Sequence, residues 1–155
     1  MKRVMAPALL AAAALLVVVV SSSAGDGKSR HPGGHTITVV ERATTDAVTN
    51  GTAGDDVGNI LTFANDVFDA SNTRKVGTDQ GSCIRMVVGE SWECSWTTFL
   101  PSGQITVEGP FYDAADSVLA ITGGTGKYRN ARGEMELHAR NPAGTEFDFV
   151  FHVIG

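Results

Sequence analysis

From Thr36 onward the chain alternates apolar and polar residues with a period of two, broken by glycine-rich turns. This feature constrains the fold most, because only a strand sends successive side chains to opposite faces. In Ser91–Leu100 the residues Trp92, Cys94, Trp96, Thr98 and Leu100 point one way. In the last segment Phe147, Phe149, Phe151 and Val153 face away from Glu146, Asp148 and His152. Ile105, Val107, Gly109 and Phe111 alternate in the same manner, as do Met135, Leu137 and Ala139 in Gly133–Arg140. Thr36–Arg42, Asn59–Ala64, Val76–Val88 and Ser117–Thr122 complete eight predicted strands, with Asp46–Gly58 and Asp69–Arg74 read as loops. All 18 Gly lie beyond residue 24, which favours many turns between short strands over a helical bundle. Eight antiparallel strands either close into a barrel or stack as a sandwich, and closure removes exposed edges. A barrel of that size has room for one small ligand. The period alone leaves open which face lines the lumen.

The first 24 residues are of another kind. Lys2 and Arg3 precede an apolar run from Val4 to Val20, and Ser22-x-Ala24 fits the small-residue rule for signal peptidase. The expectation is a cleaved signal peptide over 1–24 and a secreted, extracellular product; a membrane anchor is the alternative, at the lower edge of spanning length. Residues 25–35 read as a flexible arm, because Pro32-Gly33-Gly34 prevents a helix that would pair His31 with His35 as metal ligands. The barrel then occupies 36–155. Removing Lys2 and Arg3 takes the net charge from −5 to −7, and an acidic chain without a basic cluster is a poor partner for nucleic acid. After cleavage no membrane association is expected.

Export makes the two cysteines readable as a pair. A hairpin turning at Val87-Val88-Gly89-Glu90 pairs Ile84 with Glu93 and sets Cys83 opposite Cys94, so a structural disulfide is expected in an oxidising compartment. Asn50-Gly51-Thr52 is a glycosylation sequon if the source is eukaryotic.

Gly123–Gly133 (GGTGKYRNARG) fails as a phosphate loop, since Ile121 and Tyr128 stand where Gly and Ser or Thr are required. It is read either as a structural connection or as a ligand-contacting loop carrying Lys127, Arg129 and Arg132 to one rim. No hydrolase signature or metal-ligand spacing occurs, and no cofactor or metal is expected. Acid–base chemistry would therefore rest on Arg or on carboxylates facing inward, with Glu41, Asp79, Glu108 and Asp148 as candidates.

These motifs together resemble the dirigent and allene oxide cyclase superfamily. Val76-Gly77-Thr78-Asp79-Gln80-Gly81 is similar to the dirigent V-G-x-x-Q-G strand, and Gly123–Gly133 to its GGTGxFxxARG segment. Ile105–Tyr112, Ser117–Gly124 and Phe63-Ala64-Asn65 are closer to the cyclases. The resemblance implies an eight-stranded antiparallel up-and-down β-barrel of calycin-like form. It also implies a homotrimer, a cavity for a small hydrophobic or aromatic ligand, and, on the dirigent side, a separate oxidase generating radicals. By matching positions it implies catalytic roles for Arg132 and Glu41, with ligand contacts from Asn65, Asp79, Tyr112 and Lys127. Lys127 stands where some dirigent proteins carry an Asp, and Thr38 where the cyclases carry a functional Glu. The implied activity is stereochemical steering of a coupling or cyclisation, the alternatives being a cyclase-like isomerase or a barrel that binds without chemistry.

Overall fold

The computed structural model describes residues 34–50 and 54–155. The predicted signal peptide, nearly all of the predicted arm, Gly51 and Thr52 of the sequon, and the side chain of Asn50 lie outside the described residues. The strands are β1 (His35–Arg42), β2 (Ala47–Asn50), β3 (Ile60–Phe63), β4 (Asp66–Asp69), β5 (Lys75–Val87), β6 (Ser91–Leu100), β7 (Gly103–Tyr112), β8 (Ser117–Gly124), β9 (Arg132–Ala139) and β10 (Glu146–Ile154). One 3-10 turn, Gly126–Tyr128, interrupts an otherwise all-β structure among the described residues.

Every pairing is antiparallel, and the circuit runs from β1 through β4, β5, β6, β7, β8, β9 and β10 back to β1. The 13-residue β5 is long enough to pair β4 along its first half and β3 along its second. Thus β3 and β4 are two halves of one barrel strand, broken at Ala64-Asn65. Likewise β2 prolongs β1 by pairing with β3. The result is a closed eight-strand barrel, which settles the choice between barrel and sandwich.

Two predicted boundaries change for one reason. The stretch 46–58, read as loop, contains β2, and the strand read as Asn59–Ala64 resumes beyond Asn65 as β4. A break that turns the chain also shifts the phase of the alternation, so neither short segment carries enough period-two signal alone.

Burial identifies the lumen. Trp92, Cys94, Trp96, Ile105, Val107, Leu119, Met135, Leu137 and the alternate phenylalanines of β10 form one continuous core inside the barrel. On β5 the inward positions are Gly77, Asp79, Gly81, Cys83 and Arg85. Gly81 is required there, because a Cβ would collide with Trp96 and with the Ser95 carbonyl across the β5–β6 ladder. Cys83 faces Cys94 in that ladder and the two are bridged, with Ile84 opposite Glu93.

The two ends of the barrel differ. At one end Ala131 enters the core and Tyr128 packs against it, so the 126–133 connection closes the lumen. Gly133 sits there at φ +121°, where a Cβ would strike the His152 carbonyl. The other end is framed by the β5–β6 turn, the 113–116 loop, the 140–145 turn and the 54–59 loop. That end is open.

Candidate functional site

The break between β3 and β4 builds the polar part of the site. Where the strand turns, Asn65 is buried, and its Oδ1 accepts from the backbone N–H groups of Thr44 (3.0 Å) and Thr45 (2.9 Å) and from the Thr45 hydroxyl (3.0 Å). Its Nδ2 donates to Glu41 Oε1 at 2.8 Å and to Asp46 Oδ1 at 2.7 Å. Its backbone exchanges hydrogen bonds with Asp79, each 3.0 Å long. One amide thus satisfies the unpaired groups of both strand breaks and fixes Glu41 beside Asp79.

Glu41 is 5% exposed and Asp79 1% exposed, an unusual burial for two neighbouring carboxyls. Desolvation, and then the charge of Asp79, holds Glu41 well above the usual carboxylate range, against the opposing bond from Asn65. Burial likewise raises Asp79 to about 7, offset in part by hydrogen bonds from Asn65 and Glu41. Two such groups side by side share a proton rather than both ionise. A proton on Glu41 also supplies a donor to Asp79, whose Oδ2 otherwise has no hydrogen-bond partner. The pair therefore holds its proton to higher pH than an ordinary carboxyl does, and Glu41 is placed to donate it.

Glu41 lines a narrow interior cavity of about 40 Å³ whose walls include Phe63, Trp96, Phe111 and Phe149, with the Cys83–Cys94 bridge beside them. Trp96 packs against Phe63 at 6.0 Å and Phe149 at 5.5 Å between ring centroids, and its buried Nε1 has no hydrogen-bond partner. Phe111, Leu137 and Phe147 line both this cavity and a wider recess of about 340 Å³ at the open end. Phe111 and Phe147 meet edge to face at 5.9 Å. The recess has the volume of a small-molecule site. The inner cavity holds only water or one projecting group of a ligand unless those two rings move.

The sequence-predicted residues fall into two groups. Glu41, Asn65 and Asp79 meet in the buried cluster, and Cys83 and Cys94 line the cavity. Tyr112, 38% exposed, sits on the wall of the outer recess. Lys127 and Arg132 lie elsewhere: both are exposed at the closed end, and Arg132 Nη1 donates to its neighbour Ala131 at 2.7 Å. Seven strand steps along β9 separate Arg132 from Ala139 at the open recess, roughly 20 Å. Glu108 and Asp148 point outward. Sequence reasoning passed over Trp96 as a ligand contact and Arg85 altogether, although both occupy inward parity on their strands.

The comparisons with known proteins fit this geometry. The family model described as allene oxide cyclase barrel like domain matches residues 36–151, and the chain belongs to that family. Among solved structures, a pyocyanin demethylase is 27% identical with a TM-score of 0.62, over 76% of this chain and 100% of that one. An exo-specific intermolecular Diels-Alderase is 18% identical at a TM-score of 0.64, over 79% of this chain and 99% of that one. A pterocarpan synthase dirigent protein is 19% identical at a TM-score of 0.62, over 80% and 98% respectively. The last two likenesses establish the fold.

Proposed function

We propose that this barrel binds a small hydrophobic or aromatic, unsaturated molecule at its open end and directs the stereochemistry of its coupling or cyclisation. The observation that carries the reading is the buried Glu41, held beside Asp79 by Asn65 on the wall of an aromatic-lined cavity. The aromatic walls hold the ligand in one near-attack geometry, which supplies most of the rate and selectivity in such reactions. With Asp79 in its protonated form, Glu41 donates its own proton to a ligand oxygen or carbon as the new bond forms, and Asn65 Nδ2 stabilises the resulting carboxylate. Product or solvent returns the proton, so the reaction is redox-neutral at the barrel. The unpaired Trp96 Nε1–H offers a second donor to a ligand oxygen. The named reactions of the structural neighbours, demethylation of pyocyanin, Diels–Alder addition and pterocarpan synthesis, support small unsaturated ring systems as the substrate class.

In this reading the chain is exported, cleaved near Ala24 and oxidised at Cys83–Cys94, and it assembles as a homotrimer. Where the reaction is radical coupling, a separate oxidase generates the radicals. The test is to incubate the mature protein with coniferyl alcohol and a one-electron oxidant, and separately with an allene oxide, followed by chiral chromatography. An enantiomeric excess that disappears in Glu41→Gln supports the proposal. Racemic products in both reactions contradict it; ligand retention with racemic products would indicate a binding barrel without chemistry.

A further inference from the structure

Arg85 is a charged side chain only 8% exposed, at an inward position on β5 near the open end. Its guanidinium lies 3.9 Å from the centre of the Trp92 ring. Nη1 donates to Asp113 Oδ2 at 2.6 Å, while Asp113 Oδ1 accepts from Trp92 Nε1 at 3.1 Å. Nε lies 2.6 Å from Asp55 Oδ1 without hydrogen-bond alignment, so this second contact is ionic. The other Asp55 oxygen accepts from the Gly89 N–H at 2.8 Å. The backbone of Arg85 adds to this: its N–H donates to the Asn59 carbonyl and its carbonyl accepts from Gly58 N–H, both at 2.9 Å. One residue therefore joins the 54–59 loop to the 113–116 loop, two of the four segments framing the open end, and Asp55 carries the link on to the β5–β6 turn.

A buried cation shared by two carboxylates is a costly way to tie loops together, since each ion loses hydration. The 113–116 loop it holds forms one wall of the outer recess, together with Tyr112. That loop has further tethers: Asp113 N–H to the Glu90 carbonyl at 2.9 Å, Tyr112 N–H to Ser117 Oγ at 3.0 Å, and Asp116 to His138 at 2.9 Å. The 54–59 loop is tied to the barrel through Arg85 and Gly89.

We propose that Arg85 is a positioning residue for ligand entry: by clamping Asp113 from inside the barrel it holds the 113–116 wall of the recess in place, and through Asp55 it ties the neighbouring 54–59 loop to that wall. The ordering of the loops stands on the contacts above, whereas the consequence for ligand rests on the function proposed in the preceding subsection. Arg85→Met keeps the stem packed on Trp92 and removes the charge.

Hydrogen exchange of the full mature protein reads the clamp directly. In Arg85→Met the amides of residues 55–58 and 114–116 should exchange at least about tenfold faster, the equivalent of roughly 1.4 kcal/mol of local stability, while those of Gly81 and Cys83 stay unchanged. Asp55→Asn should loosen only residues 55–58, and Arg85→Lys should recover part of the protection. Affinity for N-phenyl-1-naphthylamine, a neutral aromatic fluorophore, should weaken in parallel with loosening of the loops. A folded Arg85→Met protein with unchanged loop exchange would overturn the proposal, as would loosened loops with unchanged probe affinity. A wild-type protein that fails to take up the probe would count against the ligand-binding reading, and loop exchange alone would then decide the clamp.

Discussion

Glu41→Gln keeps the side chain's length and its Oε1 acceptor for Asn65 while removing the titrating proton. Its catalytic effect should be a loss of about 100-fold or more, the usual contribution of a positioned acid, with ligand affinity retained. The same substitution should change the pH dependence of stability. Asp79 ionises near 3.8 in the unfolded chain and near 7 in the barrel, so the fold holds a proton that the unfolded state releases. The pair's contribution to stability is therefore full below about pH 4 and is lost as pH rises through 7, with the raised Glu41 acting in the same direction. In Glu41→Gln an amide N–H can reach the Asp79 oxygen that lacks a partner, and the slope between pH 4 and 7 should flatten. Urea denaturation midpoints across that range measure both effects; a slope unchanged by the substitution would separate Glu41 from the pair. Asn65 is legible only through the family resemblance. Glu41 and Asp79 are legible in the sequence as carboxyls at possible inward strand positions, although Glu108 and Asp148 give the same signal and point outward. Arg85 had the same signal, an Arg on the face of Cys83, and was hidden because ion-pair partners from two distant loops leave no local motif.

The β5–β6 hairpin shows what local pairing can reveal. Alternation on both sides of one turn was enough to place Cys83 opposite Cys94, and the ladder has that register. Replacing both cysteines by Ser should lower stability by about 3 kcal/mol, since the bridge closes a loop with a separation of 11 residues. Thermal denaturation of the variant, compared with the oxidised wild type, measures this. The breaks in β1–β2 and β3–β4 were not legible, because Asn65 exerts its effect across the sheet on Thr44, Thr45 and Asp46 rather than along its own strand. The connection between β8 and β9 shows why its glycines recur. Gly133→Ala forces a side chain into the His152 carbonyl at φ +121° and should cost more than about 2 kcal/mol. Gly89→Ala, at φ +68° with open space around it, should cost about 1 kcal/mol. Equal losses in melting temperature would contradict the close-approach account.

Across the whole molecule the barrel separates two kinds of conspicuous residue. The 123–133 segment that carries much of the family resemblance closes one end, and the acid cluster and recess occupy the other. The resemblance implies roles for Arg132 and Glu41 by matching positions, and neither it nor the period-two reading says which end of the barrel a residue reaches. Their separation predicts that Arg132→Ala changes affinity for N-phenyl-1-naphthylamine by less than about twofold; titration of the variant and the wild type with that fluorophore tests it, and a large loss would mean that the closed end communicates with the recess. Closure itself was foreseeable, because eight alternating strands otherwise leave two exposed edges. What the chemistry requires beyond closure is one carboxylic acid kept neutral in water at pH 7. Carboxyl ¹³C resonances of Glu41 and Asp79, followed by NMR from pH 3 to 10, report that state directly. Glu41 should remain protonated at pH 7 while Asp79 titrates around 7. A Glu41 resonance that titrates near its ordinary value of 4.5 would contradict its assignment as the proton donor of this barrel.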